Sequence, residues 1–551
     1  MSARYRTLTA PGAAAEPQDT IIGQPQALFP LFFTEMWERF SYYGMRALLV
    51  LFLVSEADRG GWGWTRGEAT SLYGWYTGLV YLTPILGGVI ADRLLGTRRS
   101  VLWGGFIIAA GHAALFLETV PSFYAGLGLI ILGTGLFKPN ISAIVGQLYG
   151  PDDARRDGGY TLFYMGVNAG AFFGISLCGY IGEKVSWNLG FGLAGGFMVL
   201  GALQFWFSRA LFGAIGDRVD ALKRAQGDAS GLSSANSVGT PAATPAGNVH
   251  AAASATPTAN PVEPEPPASV VADRLKAILV LSFFTIFFWF AFEQAGGSMT
   301  VFAADYTDRS LSGAAGLSFK IINTAMTLVP LALLSWLLLR MVRQTGSRVW
   351  PAHLALGAAF AALWGLSLWM LGREFAMDQT EVPATWFGVL NSFYIVVLAP
   401  VFTRLWERWW NPSGPVKFGL GLILMGLGFA ALAYGAMGIE PGARTAQVSM
   451  VWLCLAYLLH TVGELCLSPV GLSYVSKLTP TRLLGLMFGV WYLNSAVANW
   501  LAGKTGSVID EISSAHSMSV FFLIFFVVPA AAGLVLIALG PRMKRWMHGV
   551  H

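Results

Sequence analysis

The chain has 551 residues, of which 55% are hydrophobic and only 12% are charged, whereas soluble domains carry about 25% charged residues. This composition predicts an all-α polytopic membrane protein and excludes an ordinary soluble domain. The net charge of +5 is modest, and most basic residues fall in predicted loops, so nucleic-acid binding is not indicated. Cys178, Cys454 and Cys466 lie in apolar stretches and indicate neither a disulfide framework nor a metal site.

Fourteen segments of the chain are apolar and long enough to cross a bilayer, which takes about 20 residues. The six predicted spans of the first half are 28–54, 70–92, 99–118, 122–148, 157–181 and 189–212. The eight of the second half are 274–303, 317–343, 349–372, 384–407, 415–438, 447–476, 482–504 and 517–540. Residues 1–27 are polar and mixed, so we expect a cytoplasmic tail and not a cleaved signal.

The two halves are separated by a long segment that cannot bury a core. Residues 225–269 are rich in Ala, Pro, Ser, Thr and Gly, and they predict a disordered linker over 213–273. Every even-numbered span is followed by Arg or Lys, while the exits of odd-numbered spans are poorer in both. Because basic loops stay on the cytoplasmic side, the linker, the tail 541–551 and both termini should be cytoplasmic.

The first span carries a charged face. At about 100° per residue, Glu35, Glu38, Arg39, Tyr42 and Arg46 fall within one face about 100° wide. A membrane helix with one polar stripe must turn it towards the bundle interior or a water-filled path. The alternative is that both acids are hydrated at the interface, but Arg46 lies about 16 Å deeper than Glu35, which weakens it.

Three other predicted spans contain isolated charges, namely Lys138 on span 4, Glu293 on span 7 and Glu464 on span 12. Each costs several kcal/mol unless it is paired or hydrated. These charges could form structural ion pairs, or they could be functional groups. Both interpretations apply if an ion pair that opens acts as a gate. His460 shares a face with Glu464, although a lone histidine is more often a packed residue than a proton relay. No nucleotide loop, metal-ligand cluster or nucleophile elbow is present, so we expect neither an enzyme nor a cofactor.

The stretch "GGVIADRLLGTRR" ends span 2 and contains Asp92, Arg93 and Arg98. Its acid and arginines could form a latch at the cytoplasmic mouth, and the order resembles the loop 2–3 motif of the major facilitator superfamily. The alternative is an ordinary basic loop.

Several further stretches carry a more specific resemblance. They are "ExxERFSYYG" from Glu35, "FYMGVNAGAFFG" from Phe163, "VYLTPILGGVIAD", "LFKPNISAIVGQLY", "FEQAGGSM" and "GELCLSPVGLSYVSKL". Together they resemble the proton-dependent oligopeptide transporter family, in its bacterial form. The resemblance implies a major facilitator fold of two six-helix bundles plus two extra helices, fourteen spans in all. The implied units are the N-terminal bundle 28–212, core helix 7 (274–303), the extra pair 304–383 and core helices 8–12 (384–540).

The resemblance also implies a function and its residues. It implies a monomeric, proton-coupled symporter that imports di- and tripeptides across the inner membrane, with protons as the coupling ion. The residues implied for proton coupling are Glu35, Glu38, Arg39 and Glu293. Those implied for peptide binding are Tyr42, Arg46, Tyr81, Lys138, Asn168, Trp289, Asn391, Glu464, Ser468 and Trp491. It pairs Glu293 with Arg46, and Lys138 with Glu464 across the bundles.

Two departures and two alternatives bear on this interpretation. Bacterial relatives commonly place the two extra helices between the bundles, whereas here that region holds only the predicted linker, so we infer that the extra pair 304–383 lies between core helices 7 and 8. Gly74 stands where animal relatives carry a histidine, which leaves more of the proton coupling to the acids. Relatives that move nitrate or other small solutes commonly lose the acid-acid-arginine set, so its presence favours peptide or a peptide-like compound. A receptor or scaffold would have no obvious use for deeply placed charges on several helices.

Overall fold

The computed structural model describes residues 20–150, 153–217, 267–480 and 483–550. These ranges contain fourteen long helices. The first six are α1 (Leu28–Val54), α2 (Arg66–Ile90), α3 (Thr97–Phe116), α4 (Val120–Gln147), α5 (Arg156–Lys184) and α6 (Trp187–Phe207). The other eight are α7 (Ala268–Phe292), α8 (Gly313–Thr345), α9 (Trp350–Ala376), α10 (Val389–Arg404), α11 (Gly414–Gly435), α12 (Val451–Leu478), α13 (Leu484–Gly506) and α14 (Met518–Trp546).

Short elements connect these helices. The short α-helices are Arg209–Phe212, Ser298–Asp305 and Ile509–Ala515, and π-helical turns follow α2 at Ala91–Leu95 and α10 at Leu405–Trp409. The 3-10 turns are Ala57–Arg59, Glu293–Gly296, Gly346–Val349 and Ala384–Gly388. The strands are β1 (Thr20–Ile21), β2 (Gln24–Pro25), β3 (Thr307–Asp308), β4 (Ser310–Leu311), β5 (Thr380–Glu381) and β6 (Val448–Ser449). β1 pairs antiparallel with β2, β3 parallel with β6, and β4 antiparallel with β5.

The predicted all-α polytopic membrane fold is confirmed, since every long helix overlaps a predicted span. Eleven segments of the described ranges are long and apolar enough to cross a membrane, and one of them, Gly313–Ala376, holds both α8 and α9. α1 and α13 are not among these segments, and α1 carries four charged residues. Fourteen crossings therefore stay a prediction.

Several predicted boundaries shift, among them those of the linker and of the N-terminal tail. α7 begins at Ala268, inside the predicted linker 213–273, because Asp273, Arg274 and Lys276 make its first two turns too polar to count as membrane span. Residues 20–25 of the predicted tail form the β1–β2 hairpin. The rest of that tail, residues 1–19, and most of the linker, residues 218–266, lie outside the described residues.

The helices pack into two bundles and a peripheral pair. In the N-terminal bundle α1 packs on α5 and α6, α2 on α4, and α3 on α4 and α6. In the C-terminal bundle α11 packs on α12 and α14, and α7 on α13 and α14. α8 and α9 pack on each other, and α9 packs on α6. The Phe360 ring of α9 also lies 5.7 Å from the Phe33 ring and 5.8 Å from the Trp37 ring of α1, so the pair attaches to the N-terminal bundle.

The bundles meet mainly through α2 against α13 and α5 against α10. These contacts lie at the end of the molecule where α2 and α10 begin and where α5 finishes, here named the sealed end. Residues 170–182 of α5 are all buried, whereas residues 156–168 of the same helix include many exposed positions. α10 buries only Val389 and Ser392, both near its start. The bundles thus part towards the opposite end, here named the open end.

Gly74 shows why the sealed end can close. A Cβ atom added at Gly74 would lie 2.5 Å from the Gly503 Cα on α13, and one added at Gly503 would lie 2.4 Å from the Gly74 Cα. Such facing glycines let helix backbones approach closely in a membrane. A histidine side chain has no room at position 74 in this arrangement.

Candidate functional site

The charged face of α1 is buried inside the N-terminal bundle. Glu35, Glu38 and Arg39 are 5%, 0% and 4% exposed. The Arg39 Nε lies 3.0 Å from Glu35 Oε1 and also forms an ion pair with Glu38. Within the described part of the chain, Arg39 Nη2, Glu35 Oε2 and both Glu38 oxygens have no hydrogen-bond partner. The charges of this cluster are paired, but several of its polar atoms form no hydrogen bond with a described residue. The carboxylate oxygens therefore have lone pairs that can accept a proton.

A second charged group joins the two bundles through α1, α2 and the end of α7. Arg46 forms an ion pair with Glu293, as the family resemblance implied, and both are buried. Arg46 Nε donates to Tyr73 Oη at 2.5 Å, and Tyr73 Oη donates to Glu293 Oε2 at 3.2 Å. A buried ion pair needs such additional hydrogen bonds to offset the cost of removing two charges from water.

Sequence reasoning missed Tyr73. Tyrosine is common in membrane proteins, so its identity alone gave no signal. The available signal was position, because Tyr73, Tyr76 and Val80 recur at helical spacing on the buried face of α2. A tyrosine on that face is expected to direct its hydroxyl to a polar partner.

Lys138 and Glu464 find partners within their own bundles. The Lys138 Nζ lies 4.1 Å from the ring centre of Tyr81 on α2, and it is close enough to α1 to be repelled by Arg39 and attracted by Glu38 and Glu35. Glu464 Oε2 accepts a hydrogen bond from Asn391 Nδ2 at 3.0 Å, and this amide also donates to Thr461 Oγ1 at 3.1 Å. No Lys138–Glu464 ion pair forms among the described residues in this conformation, because the bundles that carry the two residues part towards the open end; the pair across the bundles stays a prediction.

The other predicted peptide-binding residues differ in their contacts. Asn168 Nδ2 donates to the Tyr164 carbonyl of its own helix at 3.1 Å. Trp491 lies edge-on to Phe418, with ring centres 6.5 Å apart. Three predicted residues carry buried polar atoms that have no hydrogen-bond partner in the described ranges, namely Tyr42 Oη, Trp289 Nε1 and Ser468 Oγ. These atoms can bind a ligand without breaking an existing hydrogen bond.

The residues of the predicted latch differ in their contacts. Arg98 Nη2 pairs with Asp217 at 2.5 Å, and Arg98 Nη1 donates to the Gly213 carbonyl at 2.7 Å. Asp92 and Arg93 lie exposed on the π-helical turn Ala91–Leu95 and form no ion pair with a described residue. Their turn lies at the end where the bundles do not meet, so the participation of Asp92 and Arg93 in a latch stays a prediction.

Arg66 links the bundles at the sealed end and was not predicted. Its Nη2 lies 2.6 Å from Asp305, its Nη1 lies 3.2 Å from Asp510, and Nη1 donates to Tyr306 Oη at 2.8 Å. Arg66 also donates to the Arg444 carbonyl at 3.0 Å. One arginine of α2 thus contacts three separate segments of the C-terminal half.

A second polar seam joins α5 to the start of α10. Glu183 accepts from the N–H groups of residues 384 and 385 at 2.8 and 2.9 Å, and from Thr385 Oγ1 at 2.6 Å. Beside it, Glu381 lies 2.5 Å from Lys184 and 2.8 Å from Arg309. Burial alone would raise the pKa of Glu381, but the Lys184 hydrogen bond and the Arg309 charge outweigh it and lower that pKa.

The described residues contain no group of three or more His, Cys, Asp and Glu side chains that could hold a metal ion. The His460 ring packs 4.6 Å from the Phe429 ring, and its Nε2 has no hydrogen-bond partner in the described ranges. The charged and polar groups described above can pair charges, form hydrogen bonds and exchange protons.

Comparisons with known proteins identify the family to which this chain belongs. The protein is 34% identical over 538 residues to the Bacillus subtilis (strain 168) "Uncharacterized transporter YclF", covering 97% of each chain. It is 30% identical to the "Di-/tripeptide transporter" of Lactococcus lactis subsp. cremoris, covering 97% of this chain and 98% of the relative. A crystal structure of a peptide transporter POT in complex with sulfate matches over the full length of both chains, with 29% identity and a TM-score of 0.71. The sequence profile of the POT family matches residues 98–372 and 371–522, so the chain belongs to the POT family.

Proposed function

We propose that the protein is a proton-coupled symporter that imports di- and tripeptides by alternating access. As a member of the POT family it is a secondary active transporter and not an enzyme. The observation that carries the proposal is the division of charge between the bundles. Arg46 and Lys138 supply cations from the N-terminal bundle, while Glu464, held by Asn391, supplies an acid from the C-terminal bundle. The name of the Lactococcus relative supports the same substrate class.

A zwitterionic peptide matches this division. Its carboxylate and ammonium are at opposite ends of the molecule, and cations bind the first while an acid binds the second. Tyr81 and Trp491 add aromatic surface, which accommodates many side chains without selecting one. The free polar atoms of Tyr42, Trp289 and Ser468 supply hydrogen bonds to the peptide backbone, and we place Asn168 at its amino end.

Proton coupling is assigned to the two arginine-centred clusters. Protonation of Glu293 would release Arg46 for the peptide carboxylate, because the neutral acid no longer holds the guanidinium. Glu35 and Glu38 compete for the single cation Arg39, so one of these acids can take a proton while the other keeps the pair. The coupling ion is the proton, and no cofactor is required.

Alternating access would exchange the two ends of the molecule. We place the sealed end outside the cell and the open end in the cytoplasm, since the basic exits of even-numbered spans gather at the open end. This puts both termini in the cytoplasm and the protein in the inner membrane, where we expect it to work as a monomer. The contacts of Arg66 and Glu183 would break as the sealed end opens and re-form as it closes.

Reconstituted uptake tests the proposal. Proteoliposomes with an imposed pH gradient should accumulate a labelled dipeptide, and an uncoupler should abolish the accumulation. Glu38→Gln should lose uphill uptake but retain exchange of labelled for unlabelled peptide, because only the proton step is removed. Glu440→Gln, on an exposed loop, is the matched acid-to-amide control and should behave as wild type. Peptide flux that is indifferent to both the uncoupler and Glu38→Gln contradicts the proposal, and competition by nitrate with no competition by peptide favours the alternative solute.

A further inference from the structure

We propose that a groove between α9 and the N-terminal bundle binds one acyl chain of a glycerophospholipid whose phosphate contacts Arg373. The groove has a volume of about 760 Å³, within the roughly 300–1,000 Å³ typical of small-molecule sites. Its walls come from α3, the end of α5, α6 and α9, and they include Ala109, Ala113, Gly192, Gly196, Leu366 and Trp369. The site is separate from the proposed transport path.

Small residues create the groove. A Cβ atom added at Gly196 would meet no atom within 4 Å, so α6 leaves open space in front of α9 at this point. The residues that line the groove are all apolar, which disfavours a charged or strongly polar occupant along its length. Trp369 and Leu189 remain 45% and 48% exposed on the outer face of the molecule, where the surrounding medium is lipid.

The length of the groove matches one leaflet. Leu189 and Val199 mark its extent along α6, and ten residues of helix rise about 15 Å. Half of a typical hydrocarbon core of about 30 Å is also about 15 Å. The groove starts near Trp187, where α6 begins at the sealed end, and runs towards the membrane centre. An acyl chain that enters from the sealed-end leaflet therefore fits both its length and its polarity.

Arg373 places a cation at the mouth of the groove. It lies one turn beyond Trp369 on α9, and its guanidinium carbon is 5.7 Å from the Trp369 ring centre. Its Nη2 donates to the Lys184 carbonyl at 3.3 Å, yet no carboxylate of a described residue lies within 4.0 Å of its guanidinium. Lys184, by contrast, is already paired with Glu381. A planar guanidinium with no acid partner among the described residues suits the phosphate of a lipid headgroup.

Photocrosslinking of purified, delipidated protein in detergent tests the proposal. The probes are phosphatidylglycerol with a diazirine in one acyl chain and diacylglycerol with the same chains. Phosphatidylglycerol should crosslink to residues 109–116 and 189–199, and at least fivefold more strongly than diacylglycerol. Gly196→Phe fills the groove and should reduce crosslinking at least fivefold. Arg373→Gln should make the two probes crosslink equally.

The matched control is Gly357→Phe, because Gly357 lies on the exposed surface of the same α9 and its added Cβ would also meet no atom within 4 Å. It should crosslink as wild type. Crosslinks spread evenly over the outer helices of the wild-type protein would overturn the groove site whether or not Gly196→Phe folds. Equal labelling of wild-type protein by both probes would overturn the phosphate contact.

Discussion

Removing the Tyr73 hydroxyl should shift the equilibrium between the observed conformation and one in which the sealed end has opened. Tyr73→Phe keeps the ring and deletes the group that donates to Glu293 at 3.2 Å across the bundle boundary. The Arg46–Glu293 ion pair remains, so the variant weakens the junction without leaving an unpaired buried acid. We expect the sealed end to open more readily.

The size of the effect follows from the bond lost across the bundle boundary, because the Arg46–Tyr73 bond that is also lost lies within the N-terminal bundle. A hydrogen bond to a charged group contributes about 1.5–3 kcal/mol, and each 1.4 kcal/mol is about a tenfold change in an equilibrium constant. The ratio of sealed to opened molecules should therefore fall by roughly 10- to 150-fold. Tyr76→Phe is the matched control, because the Tyr76 hydroxyl is buried on the same helix without a hydrogen-bond partner in the described ranges.

Double electron–electron resonance measures this ratio. Spin labels at Glu56 and Glu440, both exposed at the sealed end on opposite bundles, report their separation as a distance distribution. Tyr73→Phe should enrich the longer distance, and Tyr76→Phe should leave the distribution unchanged. If Tyr73→Phe matched wild type, or if both variants shifted equally, the hydroxyl of Tyr73 would not hold the bundles together.

Two further predictions concern the sealed end. Gly74→Leu should lower the melting temperature and open the sealed end, because the leucine side chain must displace Gly503. Gly88→Leu is the control, because Gly88 lies on the same helix with open space around its added Cβ, and it should have neither effect. Equal melting temperatures of the two variants would refute the steric argument. The contact between Glu381 and Lys184 should weaken in acid, because the pKa of Glu381 is lowered in the folded protein. The stabilisation from this contact is complete above the ordinary pKa of 4.5, and it is lost as the pH falls through the lower native pKa. Sealed-end distances measured from pH 7 to pH 3 should lengthen in wild type more than in Glu381→Gln, and identical profiles would remove Glu381 from the seam.

Much of the fold could be predicted from hydrophobic runs. Residues 28–54 were predicted as the first span, and α1 has the same bounds, because its apolar run starts and stops sharply. α2 begins at Arg66, four residues before its predicted span. The Thr65–Glu68 capping box starts this helix, and capping depends on hydrogen bonds that hydropathy does not measure.

Only part of the candidate site could be predicted from the sequence. Arg46 and Glu293 are paired as expected, whereas the expected Lys138–Glu464 pair is absent because a sequence does not specify which end of the molecule is open. Arg66 was missed because it lies outside the apolar run of its helix, where a single arginine resembles any loop residue. The contacts between bundles that were missed are those of Arg66, Glu183 and Tyr73, which depend on relative position more than on local pattern.

The charged face of α1 also constrains biosynthesis. A charged residue at the centre of a membrane helix costs about 2.5–3.5 kcal/mol during insertion, and α1, the first long helix of the described residues, carries four charges. Glu293 follows Arg46 by 247 residues, so at about 5–20 residues per second the ribosome supplies this partner roughly 12–50 s later. Until then Arg46 has no acid from α7, and the helix at the centre of the N-terminal bundle is poorly suited to enter lipid alone. We expect α1 to stay with the insertion machinery until later helices emerge to enclose it.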